Sequence, residues 1–97
     1  MMTNDKKIRG VGPVMRKGEM GDAVIEAIQA DNTERKITIE EHASYFRIQV
    51  EGECLLVIDT VSEMLGSKVI FSDIESHMPS FEGFIRVGTE QIRFLSK

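Results

Sequence analysis

Ninety-seven residues, 41% of them hydrophobic and 29% charged, make one domain with one modest core. A net charge of −4, with the basic residues scattered, leaves no basic face able to neutralise phosphates and argues against a nucleic-acid partner. The longest apolar run, Cys54 to Ile58, is too short to span a bilayer, and residues 1–9 lack the apolar stretch of a signal peptide, so a cytoplasmic protein with no membrane partner is expected.

Residues 1–10 are polar and charged without periodicity and read as a flexible tail, leaving 11–97 as the folded domain. Val11 to Lys17 reads as a short strand. Pro13 lacks an amide donor, which predicts a strand at an edge or paired on one side only. Gly18 and Gly21 flank a turn. A helix is predicted from about Asp22 to Ala30, with Met20, Val24, Ala27 and Ile28 on one face and Ile25 beside it. Asp22 suits the positive end of that helix, and Asn32 can close it in the left-handed conformation.

Three strands follow. Lys36 to Glu41 alternates, with Ile37 and Ile39 inward. Ser44 to Val50 places Phe46, Ile48 and Val50 on one face and Tyr45, Arg47 and Gln49 on the other. Glu51-Gly52 suggests a hairpin turn into Glu53 to Asp59, which is apolar on both faces and reads as the central strand. Two boxes, Thr60-Val61-Ser62-Glu63 and Ser72-Asp73-Ile74-Glu75, predict helix starts; the first helix stops at Gly66 and the second before Pro79. The chain closes in a hairpin, Phe81 to Val87 against Gln91 to Leu95, turning at Gly88-Thr89 with Phe84, Ile92 and Phe94 towards the core. The fold class is α+β: a small single domain of mainly antiparallel sheets packed with helices, in the order β-α-β-β-β-α-α-β-β.

Reactive groups are sparse. Adjacent residues of a strand point to opposite faces, so Glu41 and His42 of the Glu40-Glu41-His42 run cannot readily share a metal, and His77 stands 35 positions further on. Cys54 is the single cysteine, so no internal disulfide forms, which fits a reducing compartment; in its apolar strand it reads as a small buried hydrophobe. The glycines around Gly10-Val11-Gly12 and Gly18 to Gly21 punctuate turns and lack a phosphate-binding pattern. Met20 and Met64 fall on apolar helix faces, while Met15 and Met78 divide evenly between core and interface. The residues point to no catalytic, cofactor-binding or metal site.

A longer pattern runs through the chain. Val11-Gly12-Pro13-Val14-Met15-Arg16 is followed by Val24-Ile25-Glu26, Asp31-Asn32 and Lys36-Ile37-Thr38-Ile39-Glu40. Then come Tyr45-Phe46-Arg47-Ile48, Glu51-Gly52-Glu53, Ser80-Phe81-Glu82-Gly83 and Gln91-Ile92-Arg93-Phe94. In order and spacing, residues 11 to 95 resemble the small effector (coupling or regulatory) proteins of the bacterial multicomponent diiron monooxygenases, in the toluene, alkene and isoprene branch. Where the family pattern follows Asp-Asn with Pro, this chain has Thr33, which weakens a helix stop.

The resemblance implies two small sheets packed with helices and a cofactor-free, non-catalytic component of an NADH-dependent system. It implies a partner, the diiron hydroxylase that inserts oxygen from O₂ into a hydrocarbon, whose activity, coupling and regiospecificity the effector tunes. It also implies competition with a Rieske-type ferredoxin or a reductase for an overlapping surface, and a monomer when free. Two patches are expected to meet the hydroxylase. One is the first strand and its approach, with Arg9, Val11, Met15, Arg16 and Lys17. The other comprises the connections carrying Thr60, Ser62, Met78, Ser80 and Phe81. The rival readings are a small-molecule-binding regulatory domain, which needs a pocket, a small enzyme, which needs a reactive constellation, and a structural subunit of another complex.

Overall fold

Residues 10–96 are described in a computed structural model. Their elements are β1 (Gly10–Arg16), α1 (Glu19–Asp31), β2 (Ile37–Glu41), β3 (Tyr45–Glu51), β4 (Glu53–Val57), α2 (Ile58–Leu65), α3 (Phe71–Glu75), β5 (Ser80–Glu82), β6 (Phe84–Val87) and β7 (Gln91–Leu95). The strands form two antiparallel sheets, one ordered β2-β3-β1-β5 and the other β4-β7-β6. The α+β class and the element order match expectation, except that the strand foreseen over Phe81 to Val87 is two strands. Most of the proposed tail lies outside the described residues; Gly10 already belongs to β1.

The first strand is interior, not at an edge, because β5 covers its second side. Pro13 is accommodated locally. The ladder to β3 pairs Val11 with Val50 and next Val14 with Arg47, stepping over Gly12 and Pro13. The backbones crowd there: a Cβ on Gly12 would lie 2.4 Å from the Ile48 carbonyl oxygen. A missing amide at Pro13 therefore costs no bond to β3.

Twice the chain passes directly from the first sheet to the second. At Gly52 it leaves β3 for β4, which pairs with β7, so the hairpin expected at Glu51-Gly52 does not form. At Gly83 it leaves β5, bound to β1, for β6, bound to β7. Gly83 has φ 101°, and a Cβ there would sit 2.6 Å from the Leu95 carbonyl oxygen and 2.7 Å from Val11 Cγ1. Only glycine suits that backbone and that space. The step also turns Phe84 outward: it pairs with Leu95, while Ile85 faces Phe94, so Phe84 is not the core residue foreseen.

β4 is an edge strand, not the central one; β7 holds the centre of its sheet. Its burial alternates, with Cys54 and Leu56 enclosed and Leu55 and Val57 half-buried. Asn32 closes part of its free edge. Asn32 is the buried polar residue at the end of α1 and adopts φ −130° rather than the left-handed conformation expected. Its side-chain amide donates to the carbonyls of Ile28 and Leu55, both at 2.8 Å, and its carbonyl accepts the Leu55 amide at 2.9 Å. One side chain thus satisfies a helix-end carbonyl and both polar groups of a β4 residue.

The helix starts also move. α1 begins three residues early, with Gly21 inside its first turns and Ala23, Val24, Ala27 and Ile28 buried. α2 starts at Ile58, ahead of the predicted box, so Thr60 lies within the helix. The Ser62 hydroxyl donates to the Ile58 carbonyl at 3.2 Å and accepts the Val69 amide at 3.0 Å, pinning the connection beyond Gly66. At α3 the carboxylate that accepts a free amide is Asp73, from Ile70 at 3.0 Å, not Glu75.

One core results. Val11, Met15, Ile48 and Val50 come from the first sheet and Cys54, Leu56, Ile92 and Phe94 from the second, with Val24, Ile28, Val61 and Ile74 from the helices. Met15 is core. Met64, expected there, is 39% exposed, and Met78 is half-buried against the core. Asn32→Ala should lower the unfolding free energy by about 2–4 kcal/mol, because the Leu55 groups lose their partner in a partly buried place. Urea denaturation checks this, and a loss under about 0.5 kcal/mol would show that the clamp contributes little.

Candidate docking site at the β1–β5 edge

Alternation in β1 sends Val11, Pro13 and Met15 inward and leaves Val14 and Arg16 facing out. The ladder sets Val14 between Arg47 of β3 and Ser80 of β5, and Arg16 opposite Tyr45. Val14, Tyr45, Arg47, Pro79, Ser80 and Glu82 line a groove of about 420 Å³ on this outer face. The Arg47 guanidinium pairs with Glu82, and Gln49 Nε2 donates to the same carboxylate at 2.6 Å. These bonds cross from β3 to β5 over the top of β1 and fix the groove wall.

The strand end is held just as firmly. The Arg16 amide donates to the His77 carbonyl at 2.9 Å, and the Lys17 amide donates to the Ser44 carbonyl at 3.1 Å. The Lys17 ammonium lies 2.7 Å from Glu41 and 5.3 Å from the centre of the Phe46 ring. Its hydrogen bond and charge hold the Glu41 carboxyl below the usual carboxylate range. Arg16 is exposed and has no ion-pair partner among the described residues, so it carries the positive charge that this edge presents.

The proposed contact residues sort accordingly. Arg16, Met78 and Ser80 gather at the β1–β5 edge, whereas Phe81, paired with inward Pro13, lies on the other face of β5, 39% exposed beside the Phe94 ring at 5.9 Å between centroids. Val11 and Met15 have no exposed surface, because their inward positions in β1 make them core, so their side chains do not reach a docked partner. Thr60 and Ser62 belong to α2, which packs on α1 and β4 away from the groove, and the Ser62 hydroxyl is already engaged. Arg9 lies outside the described residues.

Sequence reading missed Arg47 and Glu82 as site residues, because their meeting depends on β5 pairing with β1 across most of the chain. It also missed the exposed apolar side chains of Ile70, Phe84 and Val87. An aromatic residue directly after the crossover glycine was the available signal for Phe84.

Reactive chemistry finds no place at this edge. His42 stacks on Tyr45, with centroids 4.4 Å apart, and its Nε2 lies 3.3 Å from Glu40 Oε1, so the Glu-Glu-His run divides between two surface pairings. Among the described residues, no three His, Cys, Asp or Glu side chains are grouped to hold a metal ion. No helix of the described residues is long and apolar enough to cross a membrane. Burial, assisted by the neighbouring Glu53 charge, pushes the Cys54 thiol up to about 12.

The profile of the MmoB/DmpM family matches residues 9–95. The chain belongs to that family. It is 34% identical over 87 residues to the effector subunit of the alkene monooxygenase system of Xanthobacter autotrophicus (strain Py2), spanning 90% of this chain and 86% of that one. Its fold is that of a chain in the phenol hydroxylase–regulatory protein complex, with a TM-score of 0.74 at 17% identity over 92% of this chain and 99% of that one. It is also that of the soluble methane monooxygenase regulatory protein B, with a TM-score of 0.68 at 20% identity over 100% of this chain and 71% of that one. The sequence resemblance stated above is therefore correct at the level of the family and its effector and regulatory members.

The raised Cys54 value has two measurable consequences. A thiol reagent should leave the native protein unlabelled at pH 8 and label it fully once unfolded; fast native labelling would contradict the burial. The folded thiol keeps its proton to about 12 against an ordinary 9.0, so its stabilising contribution is complete below pH 9 and is lost as pH climbs towards 12.

Proposed function

We propose that this protein is the cofactor-free effector of a multicomponent hydrocarbon monooxygenase of the toluene, alkene or isoprene type, and that it acts by docking on the diiron hydroxylase. Kinship with the alkene monooxygenase effector subunit, over nearly the full length of both chains, carries this reading. The geometry supports it. A fixed domain offering no reactive group at its outer edge alters a reaction through binding energy: it shifts an enzyme's population towards the conformation it binds better. Moving that population from about 1:99 to 99:1 needs a differential affinity of about 10⁴-fold, within reach of a few anchors and a polar rim.

On this reading the β1–β5 groove meets the hydroxylase. Arg16 supplies charge at its end and Ser80 a small contact in its lining, while Met78 and Phe81 offer apolar surface beside the edge strand. Electrons come from NADH through a ferredoxin or reductase that competes for an overlapping hydroxylase surface. The effector is a cytoplasmic monomer when free.

The reading is tested by titrating the protein into a reconstituted hydroxylase system and following product formed against NADH consumed. Rate and coupling should rise and saturate near one copy per active site; unchanged rate, coupling and product distribution would refute it. Arg16→Glu combined with Lys17→Glu should raise the half-saturating concentration about tenfold, most of it from Arg16 since Lys17 is already paired. Unchanged half-saturation would remove this end of the groove from the interface.

A further inference from the structure

The outer face of the second sheet carries an arrangement that the domain itself does not use. In β6, Phe84 and Arg86 share one face, and in β7 Leu95 and Arg93 share the same one, because Phe84 pairs with Leu95 and Arg86 with Arg93. Two arginines directly opposite each other in an antiparallel ladder repel, with Cβ atoms only about 5 Å apart. Arg93 is relieved in part by Glu53 of β4, at 3.5 Å. Arg86 is exposed and has no ion-pair partner among the described residues. A hollow of about 230 Å³ lies at this pair, lined by Arg86, Arg93, Gln91, Val87 and Gly88.

Beside the arginines, on the same face, stands an aromatic ring: Phe84 is 60% exposed. Exposed aromatic surface next to an unpaired guanidinium group is the composition of an interface centre rather than of an ordinary solvated sheet face. The place is contiguous with the groove described above. Glu82 lines that groove, and Phe84 follows it after Gly83 alone, so the two Cα atoms are at most about 7 Å apart. One partner can therefore cover both.

We infer that the docking face continues across Gly83 onto the outer face of β6 and β7, where Arg86 and Arg93 together receive a carboxylate of the partner and Phe84 packs beside it. This rests on the effector reading and adds the chemistry of the partner: an Asp or Glu of the hydroxylase on a partly apolar surface. The guanidinium fork suits a carboxylate in two-point geometry, and the opposed charges that strain the free sheet are neutralised on binding. The chain bears net charge −4, so this local positive face is set against its overall sign and orients the approach of an acidic surface.

The test is Arg86→Gln, which removes one of the two opposed charges without touching the Arg93–Glu53 pair. Its thermal midpoint should equal or exceed that of the parent, since repulsion is relieved. Its half-saturating concentration in the hydroxylase titration should rise about tenfold, and its dependence on NaCl should weaken. Phe84→Ala, read in the same titration, should also weaken half-saturation. Parent-like half-saturation of Arg86→Gln would overturn the inference while leaving the effector reading intact. Weaker binding accompanied by a lowered thermal midpoint would also overturn it, by assigning Arg86 to folding. A parent protein that leaves the hydroxylase unaffected would overturn both.

Discussion

The passage of the chain through Gly83 is the constraint on which the rest of the structure depends. The run from Ser80 to Val87 belongs to both sheets, first beside β1 and then beside β7. The change needs a left-handed backbone and room for no side chain, because Leu95 and Val11 close over it. With that step in place, β1 acquires a second neighbour and becomes an interior strand. Glu82 is carried to Arg47 and Gln49, Phe81 onto Phe94, and Phe84 to the outside. The groove on one face and the arginine pair on the next are both consequences. Asn32 does comparable work on the opposite edge, where it ties the end of α1 to β4 and keeps that edge from standing open.

The potentially reactive side chains among the described residues are already engaged. Cys54 is sealed and protonated, and the histidines take part in stacking and short surface contacts. On the effector reading proposed above, such a domain acts on an oxygenase through which surfaces it offers and how rigidly it holds them. The cross-strand bonds of Glu82 and the backbone ties of Arg16 and Lys17 provide the rigidity. Preorganised contacts lose less entropy on docking, so more of the interaction energy remains to favour one conformation of the partner.

Much of this was legible in the residues. Local signals were read well where the physics is local: the alternation of β2 and β3, the apolar face of α1, the stop at Gly66, and the closing turn at Gly88. The failures share a cause. Pro13 suggested an edge, but the neighbour that covers β1 lies nearly seventy residues further on. Cys54 to Ile58 looked central because it is uniformly apolar, yet its last residue starts a helix and its outer side is covered only in part. Asn32 was read for its backbone, whereas its side chain proved decisive. The residues proposed for docking divide in the same way. Arg16 and Ser80 were reachable from alternation and loop position, while Arg47, Glu82, Arg86 and Arg93 become a surface only when distant strands meet.

Amide hydrogen exchange of this protein, free and saturated with its hydroxylase, tests the docking face most directly. Slowed exchange concentrated in residues 79–95, with added protection at the exposed end of β1 around Arg16, is the expected result. Protection confined to the outer surface of α1 and α2, with exchange through β5, β6 and β7 unchanged, would contradict it.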